Sequence, residues 1–205
     1  MHIKHIVTAG KNLKDAEKAL IMVHGRGASA EDILQLAPYL HVKEFALLAP
    51  DATNHTWYPH SFMAPAHQNE PWLSSGIENL VDLVNTITAQ GIDTEKIYLL
   101  GFSQGACLTL EFAARNATRF GGIVAFTGGL IGEKLNRENY PGDFKGTPVF
   151  ISTGNPDPHV PVKRIRATTD ILEEMNAVVT EQVYENRPHT ISQDEIEQAN
   201  TTIFK

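Results

Sequence analysis

Residues 97–114 read Ile97-Tyr-Leu-Leu-Gly-Phe-Ser103-Gln-Gly-Ala-Cys-Leu-Thr-Leu-Glu-Phe-Ala-Ala114. The opening Ile97–Leu100 is an apolar run suited to a buried strand. It runs straight into Gly101-Phe-Ser-Gln-Gly105, and the residues beyond carry one charge, Glu111, among small and apolar side chains, as a largely buried helix would. Strand, Gly-x-Ser-x-Gly turn and helix in this order form the setting of a nucleophile elbow. So tight a turn leaves no room for side chains at the two glycines. It holds the serine strained, with its hydroxyl pointing out from the carboxyl edge of the sheet. The helix N-terminus beneath favours the negative charge that develops during attack. The competing reading is a chance match in a glycine-rich turn, and the flanking strand and helix decide against it.

Working outward, short β-branched runs alternate with segments of helical period, the pattern of a mainly parallel sheet covered on both faces. Strands are expected at Ile3–Val7, Leu20–Val23, Phe45–Ala49, Ile97–Leu100, Ile123–Phe126, Val149–Ser152 and Val178–Tyr184. The middle ones are almost wholly apolar, as strands buried on both faces must be, whereas residues 3–7 alternate and suit an edge. Ser29-Ala-Glu-Asp32 and Ser192-Gln-Asp-Glu195 resemble capping boxes opening two helices. Leu73, Ile77, Leu80, Val81, Val84 and Ile87 give one apolar stripe at helical spacing, and Ile165, Leu172 and Met175 mark a further helix. No Pro/Gly/Ser linker divides the chain, so residues 1–205 read as a single domain.

A serine hydroxyl needs a base, and the base needs an acid to orient it. Val149–Ser152 leads into Thr153-Gly-Asn-Pro-Asp157, and Val178–Tyr184 leads into Glu185-Asn-Arg-Pro-His189. Both loops leave the edge that presents Ser103, so Asp157 and His189 are the expected acid and base. Asp157 as a turn former between prolines and His189 as an ordinary loop histidine are the bland alternatives. His159 shares the loop of Asp157, Asp143 precedes its strand, and Asp170 falls inside an expected helix. The oxyanion donors are expected to be the backbone N–H groups of Gln104, next after the nucleophile, and of Arg26 in His24-Gly-Arg-Gly27, whose glycines permit close backbone approach. The competing reading of that stretch is a plain glycine turn.

HGRGAS, GFSQGA, GNPDPHVP and RPHTIS, at residues 24–29, 101–106, 154–161 and 187–192, resemble the phospholipase/carboxylesterase family that includes the acyl-protein thioesterases. The similarity runs through essentially the whole chain. It implies a compact α/β-hydrolase fold without a cap domain, hydrolysing esters or thioesters with no cofactor. It also implies Ser103 as nucleophile, Asp157 as acid, His189 as base, and Arg26 with Gln104 as oxyanion donors. Family members often pair, so a homodimer is compatible with it. Two departures stand out: Ala28 where better-known thioesterases are acidic, and Arg187-Pro188 where they have glycine before the histidine.

The aromatics Trp57, Tyr58 and Phe62 lie in a loop leaving the same edge and are expected to line the substrate site, with loop packing as the alternative. His55, His60 and His67 nearby match no standard zinc spacing, and no metal is expected. Cys107 reads as a small core residue. The net charge of −7 and the lack of a Lys/Arg run argue against nucleic acid. No apolar run approaches a membrane span, the N-terminus lacks a signal pattern, and one cysteine suits a reducing compartment, so a cytoplasmic location is expected. The function expected is hydrolysis of small-acyl esters or thioesters. A lactone or aromatic-ester hydrolase would use the same triad, and a non-catalytic binding protein on this scaffold would normally have lost a triad residue.

Overall fold

The structure, a computed structural model, describes all of residues 1–205. Seven strands form one sheet: β1 (Ile6–Gly10), β2 (Lys18–Val23), β3 (Phe45–Pro50), β4 (Ile97–Phe102), β5 (Gly122–Phe126), β6 (Pro148–Asn155) and β7 (Val178–Glu185), in the spatial order β1-β3-β2-β4-β5-β6-β7. Only β1 is antiparallel to its neighbour; every other pair is parallel. The helices are α1 (Ala30–Leu34), α2 (Trp72–Ala89), α3 (Gln104–Arg115), α4 (Val162–Glu174) and α5 (Gln193–Thr202). This is an α/β-hydrolase sheet without a cap domain.

Burial follows position. β3 and β5 are buried at every residue, while the edge strands β1 and β7 are largely exposed or alternate. Side chains alternate across the pleat, so Ala19, Ile21 and Val23 of β2 enter the core beneath α2, α3 and α4, while Leu20 and Met22 enter the core beneath α1 and α5. The capping boxes at Ser29 and Ser192 are both formed.

Two expectations are corrected. The edge strand lies at Ile6–Gly10 rather than Ile3–Val7. Residues 2 and 3 are drawn away by other partners: the His2 N–H donates to Ser75 Oγ, its ring lies 2.9 Å from the Trp57 carbonyl, and the Ile3 N–H donates to Thr53. On α2 the buried stripe runs through Leu73, Ile77, Leu80, Leu83 and Ile87, leaving Val81 and Val84 half-buried at its margin.

Candidate active site

Ser103 sits between β4 and α3 with φ 54° and ψ −118°, a strained conformation for a residue with a side chain. The two glycines allow it. A Cβ at Gly105 would lie 2.2 Å from the Val23 carbonyl oxygen, and one at Gly101 would lie 2.5 Å from the Gly105 oxygen. The turn is pinned from both sides, since the Ser103 N–H donates to the Phe126 carbonyl of β5 and the Ser103 carbonyl accepts from the Cys107 N–H of α3.

The loops after β6 and β7 bring two side chains to that turn. His189 Nε2 lies 2.8 Å from Ser103 Oγ, and His189 Nδ1 lies 2.8 Å from Asp157 Oδ2. The other Asp157 oxygen accepts the N–H groups of His159 and Val160, each at 2.8 Å. Burial tends to raise the Asp157 pKa. The hydrogen bonds from His189 and from these two N–H groups outweigh it and hold the carboxyl below its usual range. A carboxylate on Nδ1 fixes the imidazole with Nε2 free to accept the serine proton, a line competent for nucleophilic attack. His159 does not reach Ser103; its ring stands edge-on to His189 at 5.0 Å. Asp143 accepts from the Lys145 N–H, and Asp170 lies on α4, so neither joins this line.

The loop 24–28 faces Ser103 across the cleft. Gly27 has a positive φ of 78°, and its N–H donates to the His55 carbonyl. The Arg26 N–H donates to no protein acceptor, and that of Gln104 stands in the first turn of α3, where a helix supplies no acceptor. Their side chains do something the sequence did not reveal. Gln104 Nε2 and Arg26 Nη2 both donate to the Tyr58 carbonyl, each at 2.8 Å, while Gln104 Oε1 accepts the Trp57 N–H at 2.9 Å. Buried His24 supports the same loop. Its Nε2 accepts from the Ala52 N–H, so its Nδ1–H donates to the Gly25 carbonyl at 2.8 Å. Burial, only partly offset by the Gly25 carbonyl and Asp51, lowers its pKa and keeps the ring neutral.

The cleft around Ser103 holds about 650 Å³ and is walled by Tyr58, Phe62, Met63, Val160 and Phe102, with Arg26, His60 and His159 at polar positions. Tyr58 and Phe62 therefore border it. Trp57 does not, and its expected place in the substrate wall is corrected. It is 0% exposed, its indole N–H donates to the His24 carbonyl at 2.9 Å, and its ring packs against those of His2 and His24. Trp57 is a core prop beneath the loop 24–28. Cys107, at the cleft floor, is 1% exposed, and burial pushes its thiol up to about 12, despite the Gly129 N–H and the Tyr58 hydroxyl nearby. No group of three His, Cys, Asp or Glu side chains stands together as metal ligands would.

A second constellation also escaped the sequence reading. The Arg187 side chain, 9% exposed, pairs with fully buried Glu195 and donates to the Thr190 carbonyl at 2.8 Å and to Thr127 Oγ1 at 3.3 Å. It also stacks 5.0 Å from the Tyr184 ring centroid. Glu195, the third residue of α5, closes its capping box and also accepts from Ser152 of β6. Arg187 thus bridges the loop on either side of Pro188 and His189. The capping box was legible; the buried partner of its glutamate was not.

A family model described as Phospholipase/Carboxylesterase matches residues 4–205. The chain is 58% identical to a crystal structure of a phospholipase/carboxylesterase from Dyadobacter fermentans DSM 18053, which superposes with a TM-score of 0.98 over 100% of this chain and 98% of that one. It is 27% identical to acyl-protein thioesterase 1 of Saccharomyces cerevisiae over 94% of both chains. A probable SOBER1-like carboxylesterase of Arabidopsis thaliana is 27% identical over 65% of this chain, a match that spans 51% of the plant protein. No helix is long and apolar enough to cross a membrane.

Proposed function

The chain belongs to the phospholipase/carboxylesterase family, and from that premise we propose that it hydrolyses carboxylic esters or thioesters of small acyl groups through Ser103, His189 and Asp157. The observation that carries the reading is the continuous line from Ser103 Oγ to His189 Nε2 and from His189 Nδ1 to Asp157, at 2.8 Å in each step. The names of the relatives, carboxylesterase and acyl-protein thioesterase, support the same reaction class.

His189 takes the hydroxyl proton as Ser103 Oγ attacks the acyl carbon, and Asp157 stabilises the imidazolium that forms. The carbonyl oxygen becomes an oxyanion facing the N–H groups of Gln104 and Arg26. Collapse expels the alcohol or thiol, which leaves with the proton from His189 Nε2. A water then enters, gives a proton to His189, attacks the acyl-enzyme and releases the acid while Ser103 regains its hydrogen.

Small acyl groups are favoured because the cleft is walled by short segments, chiefly the loop 58–63, Phe102 and the Asp157 loop, and no cap extends them. Each buried methylene is worth about 0.8 kcal/mol, a gain an open cleft captures only for the first few carbons. A fluorophosphonate probe should label the wild type at Ser103 and leave Ser103→Ala unlabelled; labelling at another residue, or none, overturns the assignment. Along p-nitrophenyl esters from acetate to palmitate, kcat/KM should peak between about two and six acyl carbons and fall beyond about eight. A maximum at the long-chain end would instead favour a depalmitoylating enzyme.

A further inference from the structure

Arg26 stands exposed at the mouth of the cleft. Its Nη1 donates to the Pro59 carbonyl at 3.3 Å, and its Nη2 donates to the carbonyls of Tyr58 and His60 at 2.8 and 3.0 Å. All three acceptors are neutral. They occupy three of the five guanidinium N–H groups and hold the head in place, but they cancel none of its charge. Arg26 belongs to none of the ion pairs of the molecule.

The rest of the cleft does nothing to offset that charge. No aspartate or glutamate lines it. Asp157, the acid nearest the site, has a side chain 0% exposed and is turned to His189. His60 and His159 also border the cleft, and their hydrogen bonds within the chain are made by backbone groups, leaving both rings free to donate. A chain of net charge −7 thus surrounds its nucleophile with a fixed cation and no exposed anion. In a cleft partly walled by apolar groups such a field is screened less than on an open surface, and it draws in ligands of opposite sign.

We propose that the preferred substrates are esters whose unreactive part carries an anion, a carboxylate foremost, paired to Arg26 with His60 and His159 as further donors. This rests on the ester-hydrolase reading above and narrows its substrate class. The anion can sit on either side of the scissile bond, so two matched pairs are needed. On the acyl side, monoethyl adipate is compared with ethyl hexanoate; on the alcohol side, the acetate ester of hydroxybutanoate is compared with butyl acetate.

In at least one pair, kcat/KM for the anionic member should exceed that of its neutral partner by about fivefold or more at low salt, the preference shrinking as ionic strength rises to about 0.5 M. Arg26→Gln and Arg26→Lys both lose the carbonyl clamp, but only the lysine keeps the charge. Arg26→Gln should abolish the preference whatever happens to the absolute rate, and Arg26→Lys should keep most of it. Neutral esters cleaved as well as anionic ones in both pairs would overturn the substrate class and leave the hydrolase reading intact. A preference that survives Arg26→Gln would overturn the role of Arg26. No hydrolysis of any ester, charged or neutral, would remove both.

Discussion

The two halves of the site are held by different physics. On the acid–base side the supports are charged: Asp157 on His189, and Arg187 on buried Glu195 behind the same loop. On the oxyanion side the buried supports are neutral: the Gln104 amide donates to the Tyr58 carbonyl, a Trp57 N–H reaches the His24 carbonyl, and an uncharged His24 spans two backbone segments, while the one charged group, the Arg26 guanidinium, stays at the exposed rim. The difference tracks the chemistry each side must perform. In the proposed mechanism His189 gains and loses a proton in every cycle, and such a group is best held by a fixed negative charge. The proposed oxyanion donors would need only to stay still, and a charge buried beneath them would compete with the charge they are to stabilise.

The largest effect should come from breaking the charged half at its centre. Asp157→Asn keeps the shape but removes the charge that fixes the His189 tautomer, and kcat should fall by about 10⁴-fold. Steady-state kinetics on a short-chain p-nitrophenyl ester will show it; a loss below tenfold would mean that another group orients His189.

Next is the buried pair. Glu195→Gln leaves the Arg187 charge buried without its counter-ion and should cost about 3–5 kcal/mol in unfolding free energy. Replacing both partners, Arg187→Met with Glu195→Leu, should cost far less stability. Denaturant melts of the two variants make the comparison. If the double variant is as unstable as the single one, the pair supports the fold through something other than charge.

The neutral half should fail more gently. Gln104→Leu removes the side-chain hydrogen bonds to Thr56, Trp57 and Tyr58 and lets the donors drift, lowering kcat by about 10²-fold with little change in KM. A matching rise in KM would place the Gln104 side chain in substrate binding instead.

The smallest effect separates the halves by pH. His24 has a lowered pKa in the fold, so below about 6.5 the unfolded chain takes up a proton that the folded chain does not. Stability is then lost from that point downward, and buried His2, also lowered chiefly by burial, acts in the same direction. Asp157 is lowered too, but for an acid this adds stability above an unfolded value of about 3.9, lost only as pH falls further, through the folded value. Tm should therefore decline in two stages on acidification, and Asp157→Asn should remove part of the second stage only. An Asp157→Asn difference that closes near neutral pH would contradict the ionised carboxylate.

Ser103, Asp157 and His189 could be placed from sequence because each follows a strand of known direction, so chain order alone sends them to one edge. Side-chain destinations within loops carry no such rule. Trp57 and Tyr58 are adjacent and both are buried, yet only Tyr58 borders the cleft, and the deciding fact is a carbonyl at His24 that no local pattern announces. The glutamate of the Ser192–Glu195 capping box was visible, but a cap satisfies only part of a carboxylate, and its remaining partners, Arg187 and Ser152, come from distant segments. The edge strand slipped by three residues for a similar reason: alternation marks a strand, but competition for His2 and Ile3 decides where it starts.

Cys107 offers a use unconnected with catalysis. It is the chain's single cysteine, 1% exposed at the floor of the cleft. With its thiol pushed up to about 12, only about 10⁻⁵ of it is thiolate at neutral pH. An alkylating reagent such as iodoacetamide should therefore spare the folded protein and modify it only when α3 separates from the segment around Tyr58 and Gly129. The alkylation rate becomes a clock for opening at that one place, read by mass without an introduced label and independent of whether any substrate is turned over.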